Sequence, residues 1–146
     1  MAQETPITET GLMVKRLQIR HHRTADARLQ TLGVSLVQWD ALRHLHENPD
    51  ASLHELAQLT FQTDQSMGTL AARMEARGLI ERIPAPGRAV RHRLTPVGDR
   101  ICGQGMEIVR RTLEESFQPL SAAQLQTFDS LLRVVLGPDA PETQNQ

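Results

Sequence analysis

The chain has 146 residues, 39% of them hydrophobic, a single cysteine and a formal net charge of −1. This composition fits one globular domain with or without extensions and excludes a disordered tail. No apolar run is long enough to span a bilayer, and the lone Cys102 excludes an intrachain disulfide or a cysteine-based metal cluster.

The polar, acidic segment Met1–Thr10 lacks the basic-then-apolar order of a secretory signal, so a cytoplasmic protein is expected. The small net charge hides an uneven distribution. Between Arg73 and Arg100, seven arginines face Glu75, Glu81 and Asp99, giving that window +4 and the remainder −5. Free cysteine is usually buried and inert, which is the expectation for Cys102.

Residues 9–32 read as a long helix with a thin apolar stripe that includes Leu12, Leu17, Ile19 and Leu29. A stripe that thin fits a helix partly buried against another subunit. Gly33 supplies a left-handed stop. Ser35-Leu-Val-Gln38 is a capping box that opens a helix with Leu36, Trp39, Leu42 and Leu45 on its buried face, and Asn48-Pro49-Asp50 ends it. Ser52-Leu-His-Glu55 is a second capping box, starting a helix of about two turns. Thr60 to Gln62 form a turn, and Thr63 caps a helix running to Arg77 with Met67, Leu70, Ala71 and Met74 inward. Gly78 stops it.

Leu79–Ile83 and Ala89–Leu94 alternate as two strands around the loop Pro84–Arg88. Thr95-Pro96 starts a helix to residue 118, which Pro119 breaks. Ser121-Ala-Ala-Gln124 opens a last amphipathic helix, closed by Gly137-Pro138. The expected fold is mainly α with a small β-hairpin wing, a winged helix-turn-helix. Its outer helices hold more apolar surface than the winged core covers, and dimerisation is the simplest use for it. Residues 1–34 are expected to form an N-terminal dimerisation helix, 35–95 the DNA-binding lobe, 96–137 the C-terminal dimerisation helices and 138–146 a disordered tail.

In such a lobe the start of the second helix meets base edges in the major groove. Thr63, Gln65, Ser66 and Thr69 are the candidates: glutamine bonds adenine bidentately, and hydroxyls bond bases or phosphates. Arg73, one turn past Thr69, reaches toward a phosphate. Arg88 and Arg91 are the wing candidates for phosphate or minor-groove contact. Arg77 either contacts phosphate or pairs with Glu81. Arg82 and Arg93 lie nearer the hairpin base and read as structural, and His92 falls in the packing phase. Asp64 supports the helix dipole. The competing reading for each polar residue is a solvated surface.

His21, His22, His44, His46 and His54 match no zinc-binding spacing, so no metal site is expected. There is no Gly-rich phosphate loop, nucleophile elbow or acid/base pair. An enzyme is not expected, and neither catalytic residues nor a cofactor are assigned.

The segments Val37-Gln-Trp-Asp-Ala-Leu42, Leu53-His-Glu-Leu-Ala57, Met74-Glu-Ala-Arg-Gly-Leu-Ile-Glu-Arg82 and Arg93-Leu-Thr-Pro-Val-Gly98 carry a resemblance. In joint order and spacing, over roughly residues 10–136, the chain resembles the multiple-antibiotic-resistance regulator (MarR) family. The resemblance implies a homodimeric transcription factor, a repressor of a pseudo-palindromic operator, with dimerisation through the first and last two helices. It also implies a small-molecule effector, such as an aromatic acid, between the first two helices and the reading lobe. Arg16 and Arg20 would there face a carboxylate and Trp39 would line the pocket; a dimer-interface role for the arginines and a core role for Trp39 are the alternatives. Two positions depart from the family pattern. Pro86 stands where an aspartate usually orients the wing arginine, and Thr69 stands where an arginine is frequent. Two further readings stay open: an oxidant-responsive regulator acting through Cys102, although peroxide-sensing relatives place their cysteine near the first helix, and a winged-helix protein-interaction module without DNA binding.

Overall fold

Capping chemistry sets the helix starts. In the computed structural model, which describes residues 5–84 and 86–139, helix α1 (Ile7–Leu29) runs into a 3-10 turn (Gln30–Leu32). It is followed by α2 (Leu36–Glu47), α3 (Leu53–Leu59), α4 (Asp64–Ala76), strands β1 (Ile80–Ile83) and β2 (Arg91–Leu94), α5 (Pro96–Phe117) and α6 (Ala122–Leu136). Ser35, Ser52 and Ser121 each accept from the amide three residues on. Gln38, Glu55 and Gln124 each return a bond to the serine amide. Each cap contributes about 1 kcal/mol. Gly33 and Gly78 take left-handed φ values of 74° and 72° at the expected stops. The expected polar tail lies, beyond Asp139, outside the described residues, as does Ala85 of the wing loop.

The chain divides into two compact units, one through Thr112 and one from Leu113, with the boundary inside α5. The core of the first unit gathers Leu29 and Val34, then Trp39, Leu42 and Leu45 of α2, Leu56 and Ala57 of α3, and Met67, Ala71 and Met74 of α4. Two polar links fix its frame. The Asp26 carboxylate accepts from the Leu36 amide at 2.8 Å, so α1 caps α2. The indole N–H of Trp39 donates to the Cys102 carbonyl at 3.1 Å, tying α2 to α5. Gly105 lies against that indole: a Cβ there would sit 3.1 Å from the ring Cγ and closer still to Cδ1 and Nε1.

The two strands pair antiparallel, from Ile80 opposite Leu94 to Ile83 opposite Arg91. A hairpin this short is marginal alone. It leans on the helices through His92, which is 2% exposed. The Leu53 amide also donates to the Val90 carbonyl at 3.1 Å, and Ser52 bridges Arg91. This added rung anchors the hairpin to the start of α3.

The α3–α4 turn closes with two backbone bonds, from the Phe61 amide to Gln58 and from the Gln62 amide to Ala57. Phe61 occupies the left-handed position of this Schellman closure, φ 55°, which glycine usually fills. A side chain there costs ~1 kcal/mol.

The second unit comprises the end of α5 and α6, where the Phe117 and Phe128 rings lie 5.8 Å apart between centroids. No residue of α6 is buried, and Leu131, Leu132, Val134, Val135 and Leu136 are exposed apolar residues. On α1 the same holds for Ile7, Leu12, Met13 and Val14. No helix among the described residues is long and apolar enough to cross a membrane.

Candidate nucleic-acid interface

Helix α4 buries Met67, Ala71 and Met74. A helix buried along one stripe must present the opposite one. That surface carries Gln65, Ser66, Thr69, Ala72, Arg73 and Ala76, all exposed. Thr63 is the N-cap: its hydroxyl accepts from the Ser66 amide at 3.1 Å. The Thr69 hydroxyl donates to the Gln65 carbonyl at 3.2 Å. The side chains of Gln65, Ser66 and Arg73 hold no partner among the described residues. Ala72 and Ala76, which the sequence reading did not single out, keep this face slim enough for close approach to a groove. Asp64, at the first helical position, accepts from His54 Nδ1 at 2.8 Å. The carboxylate is thus held between α3 and α4 as well as favourably placed at the helix N-terminus.

The wing arginines divide into two kinds. Arg88 follows Gly87, whose φ is 76°, and is exposed with no hydrogen-bond or ion-pair partner among the described residues. Arg91 is half-buried: its Nε is covered and has no partner among the described residues, and it lines a groove with Asn48, Asp50, Ala51 and Glu55. Arg93 pairs with Glu81 directly across the ladder at 2.7 Å. Glu81 is therefore engaged away from Arg77, which donates to Gln38 at 3.4 Å instead.

One residue that sequence reasoning missed connects the helix to the hairpin. Glu75 of α4 accepts from His92 Nε2 at 2.6 Å and lies 3.8 Å from Arg82. A carboxylate only accepts, so this bond fixes the proton on Nε2. The His92 Nδ1 atom is buried without a partner among the described residues. The in-phase burial of His92 was the one available signal for this contact; its partner lies 17 residues away.

The residues considered for an effector are not all brought together. Arg16, Ile19, Arg20, Arg23 and Thr24 line a shallow groove along α1. Trp39 is not among them; it is 4% exposed and sealed in the core, with the Arg43 guanidinium 5.7 Å from the ring centroid. No group of three or more His, Cys, Asp or Glu side chains among the described residues is placed to hold a metal. Cys102 is buried, and burial first, then the nearby Asp99 carboxylate, pushes its thiol above the ordinary range. A protonated, covered thiol is a poor nucleophile.

The constellation offers an exposed polar helix face, exposed cations and a braced hairpin. The MarR family model matches residues 32–89. The chain is 27% identical over 122 residues to the HTH-type transcriptional repressor IacR of Pseudomonas putida, covering 82% of this chain and 73% of that relative. It is 29% identical over 135 residues to the HTH-type transcriptional repressor Rv2887 of Mycobacterium tuberculosis, covering 90% and 94%. The structure of Rv2887 in complex with DNA superposes with a TM-score of 0.75 at 25% identity over 92% of this chain and 100% of that chain. Its complex with salicylic acid gives 0.71 at 28% over 92% and 99%. Apo MarR from E. coli, at 23% identity and a TM-score of 0.78 over 92% of this chain and 100% of that one, shares the fold. In topology and in sequence, the winged helix-turn-helix lobe of this chain is thus similar to that of MarR-family proteins.

Proposed function

We propose that the chain is a homodimeric, DNA-binding transcriptional repressor. Its two α4 helices enter the major groove at the halves of a pseudo-palindromic operator, and an aromatic acid releases it. Residues 35–95 read the DNA, while 1–34 and 96–137 join the subunits. The reading assigns base contact to Gln65, Ser66 and Thr69, helix support to Thr63, and phosphate contact to Arg73 and Arg88, with Arg91 bracing the wing. The protein would act in the cytoplasm, where its DNA is.

The observation that carries this reading is the slim, exposed face of α4, which includes Arg73, together with the exposed wing residue Arg88; neither arginine has a partner among the described residues. The relative in complex with DNA supports it. Dimerisation draws support from α6, none of whose residues is buried in the chain. The relative bound to salicylic acid supports an acidic aromatic effector, and Arg16 and Arg20 supply cations for a carboxylate. Such a ligand releases the operator only by binding better to a dimer whose heads are wrongly spaced.

The test is selection from a randomised duplex pool with the full-length protein. The reading expects an enriched inverted repeat with half-sites about 10–10.5 base pairs apart. A folded protein that enriches no motif even at low salt would overturn it.

A further inference from the structure

We propose that Phe61 is a specificity-determining residue of the DNA contact, its ring packing against the 5-methyl group of one thymine at the edge of each half-site. The inference rests on the reading of α4 given above and adds an apolar contact to it.

Phe61 is 97% exposed, the most exposed large hydrophobic residue among the described residues. The chain has three phenylalanines, one tryptophan and no tyrosine. Phe117 and Phe128 pack on each other and Trp39 is buried, so Phe61 alone among the aromatic side chains lacks a packing role. Its backbone is left-handed at φ 55°, which is unusual for a bulky residue. Both bonds that close the turn are backbone to backbone, so a glycine would close it equally well without strain. The ring therefore adds nothing to the turn and nothing to the core.

Its location suggests what the ring meets. Phe61 lies two residues before Thr63, the N-cap of α4, next to the end of the helix that approaches base edges. A phenyl ring has no hydrogen-bonding group. In the major groove the matching apolar feature is the thymine methyl, which distinguishes A·T from the other pairs. The contact differs in kind from those of Gln65, Ser66 and Arg73, and it reads a different chemical feature of the duplex.

The experiment takes the operator selected by the full-length protein and replaces each thymine in turn with deoxyuridine, which removes only the methyl. Wild type is expected to weaken about fourfold at one thymine per half-site, and about fifteenfold when both are replaced. Phe61→Gly should bind the unmodified operator more weakly and lose this sensitivity. The same variant should melt about 2–4 °C higher, because the strain is gone. Phe61→Leu, which keeps an apolar tip, should retain part of the sensitivity and serves as the second readout. An unchanged operator affinity, or the same deoxyuridine profile in wild type and Phe61→Gly, overturns the proposal while leaving the DNA-binding reading intact; this is also the result expected if the ring docks another protein. Failure of wild type to bind any duplex overturns the underlying reading, and this inference with it.

Discussion

Replacing Arg88 by alanine separates a phosphate contact from a structural one. Arg88 is exposed and has no partner among the described residues, so its removal breaks no hydrogen bond or ion pair among them and the thermal midpoint should not move. If each subunit neutralises one phosphate through this side chain, a dimer loses two contacts. Each phosphate contact contributes about 0.9 to the slope of log affinity against log salt, so the slope should flatten by about 1.8. Between about 50 and 200 mM salt, wild type should then lose roughly twelvefold more affinity than the variant. Fluorescence anisotropy of a labelled operator across that range gives both slopes. Arg93→Ala is the control: Arg93 is paired with Glu81 across the hairpin, and its loss should leave the slope nearly unchanged. An Arg88→Ala slope equal to wild type, or a loss confined to one operator sequence, would refute a phosphate role for the wing tip.

Three other substitutions probe the frame. Gly105→Ala should destabilise by about 1–3 kcal/mol net through overpacking, despite the ~1 kcal/mol that alanine gains over glycine in a helix, because its methyl would meet the Trp39 indole; a raised thermal midpoint would show that the contact yields freely. Glu75→Ala leaves the Nε2–H of His92 buried and unpaired, costing about 1–3 kcal/mol; β2 amides should exchange faster with deuterium, and unchanged protection would count against Glu75 as the brace of the wing. Val135→Asp puts a charge on α6 at a residue 82% exposed in the chain; it should leave helicity intact but yield monomers in sedimentation, whereas a dimer as tight as wild type would remove α6 from the interface.

The elements legible in the sequence are those decided within a few residues. Ser35, Ser52, Thr63 and Ser121 cap helices through bonds spanning three residues, and Gly33 and Gly78 mark left-handed stops. The inward phase of His92 was readable from strand alternation. What was hidden depends on residues distant in sequence. The Trp39 bond to Cys102 spans 63 positions, and Glu75 meets His92 only because β2 folds back on α4. Arg77 bonds Gln38, 39 positions away, while Glu81 is taken by Arg93 across the hairpin. Arg91 is half-buried because β2 bonds to the start of α3, a rung that no local pattern announces. Nor does composition mark a left-handed phenylalanine: Thr60 to Gln62 were legible as a turn, while the conformation of Phe61 was not.

The central claim, a symmetric pair of α4 helices in the major groove, is tested most directly by cleavage directed from the helix itself. A Gln65→Cys variant in a Cys102→Ala background carries an iron chelate at one exposed position of α4, and the selected operator is the target. Two clusters of strand cuts are expected, related by two-fold symmetry and about one helical turn apart. A single cluster, or no localised cutting from protein that is bound, would contradict the account.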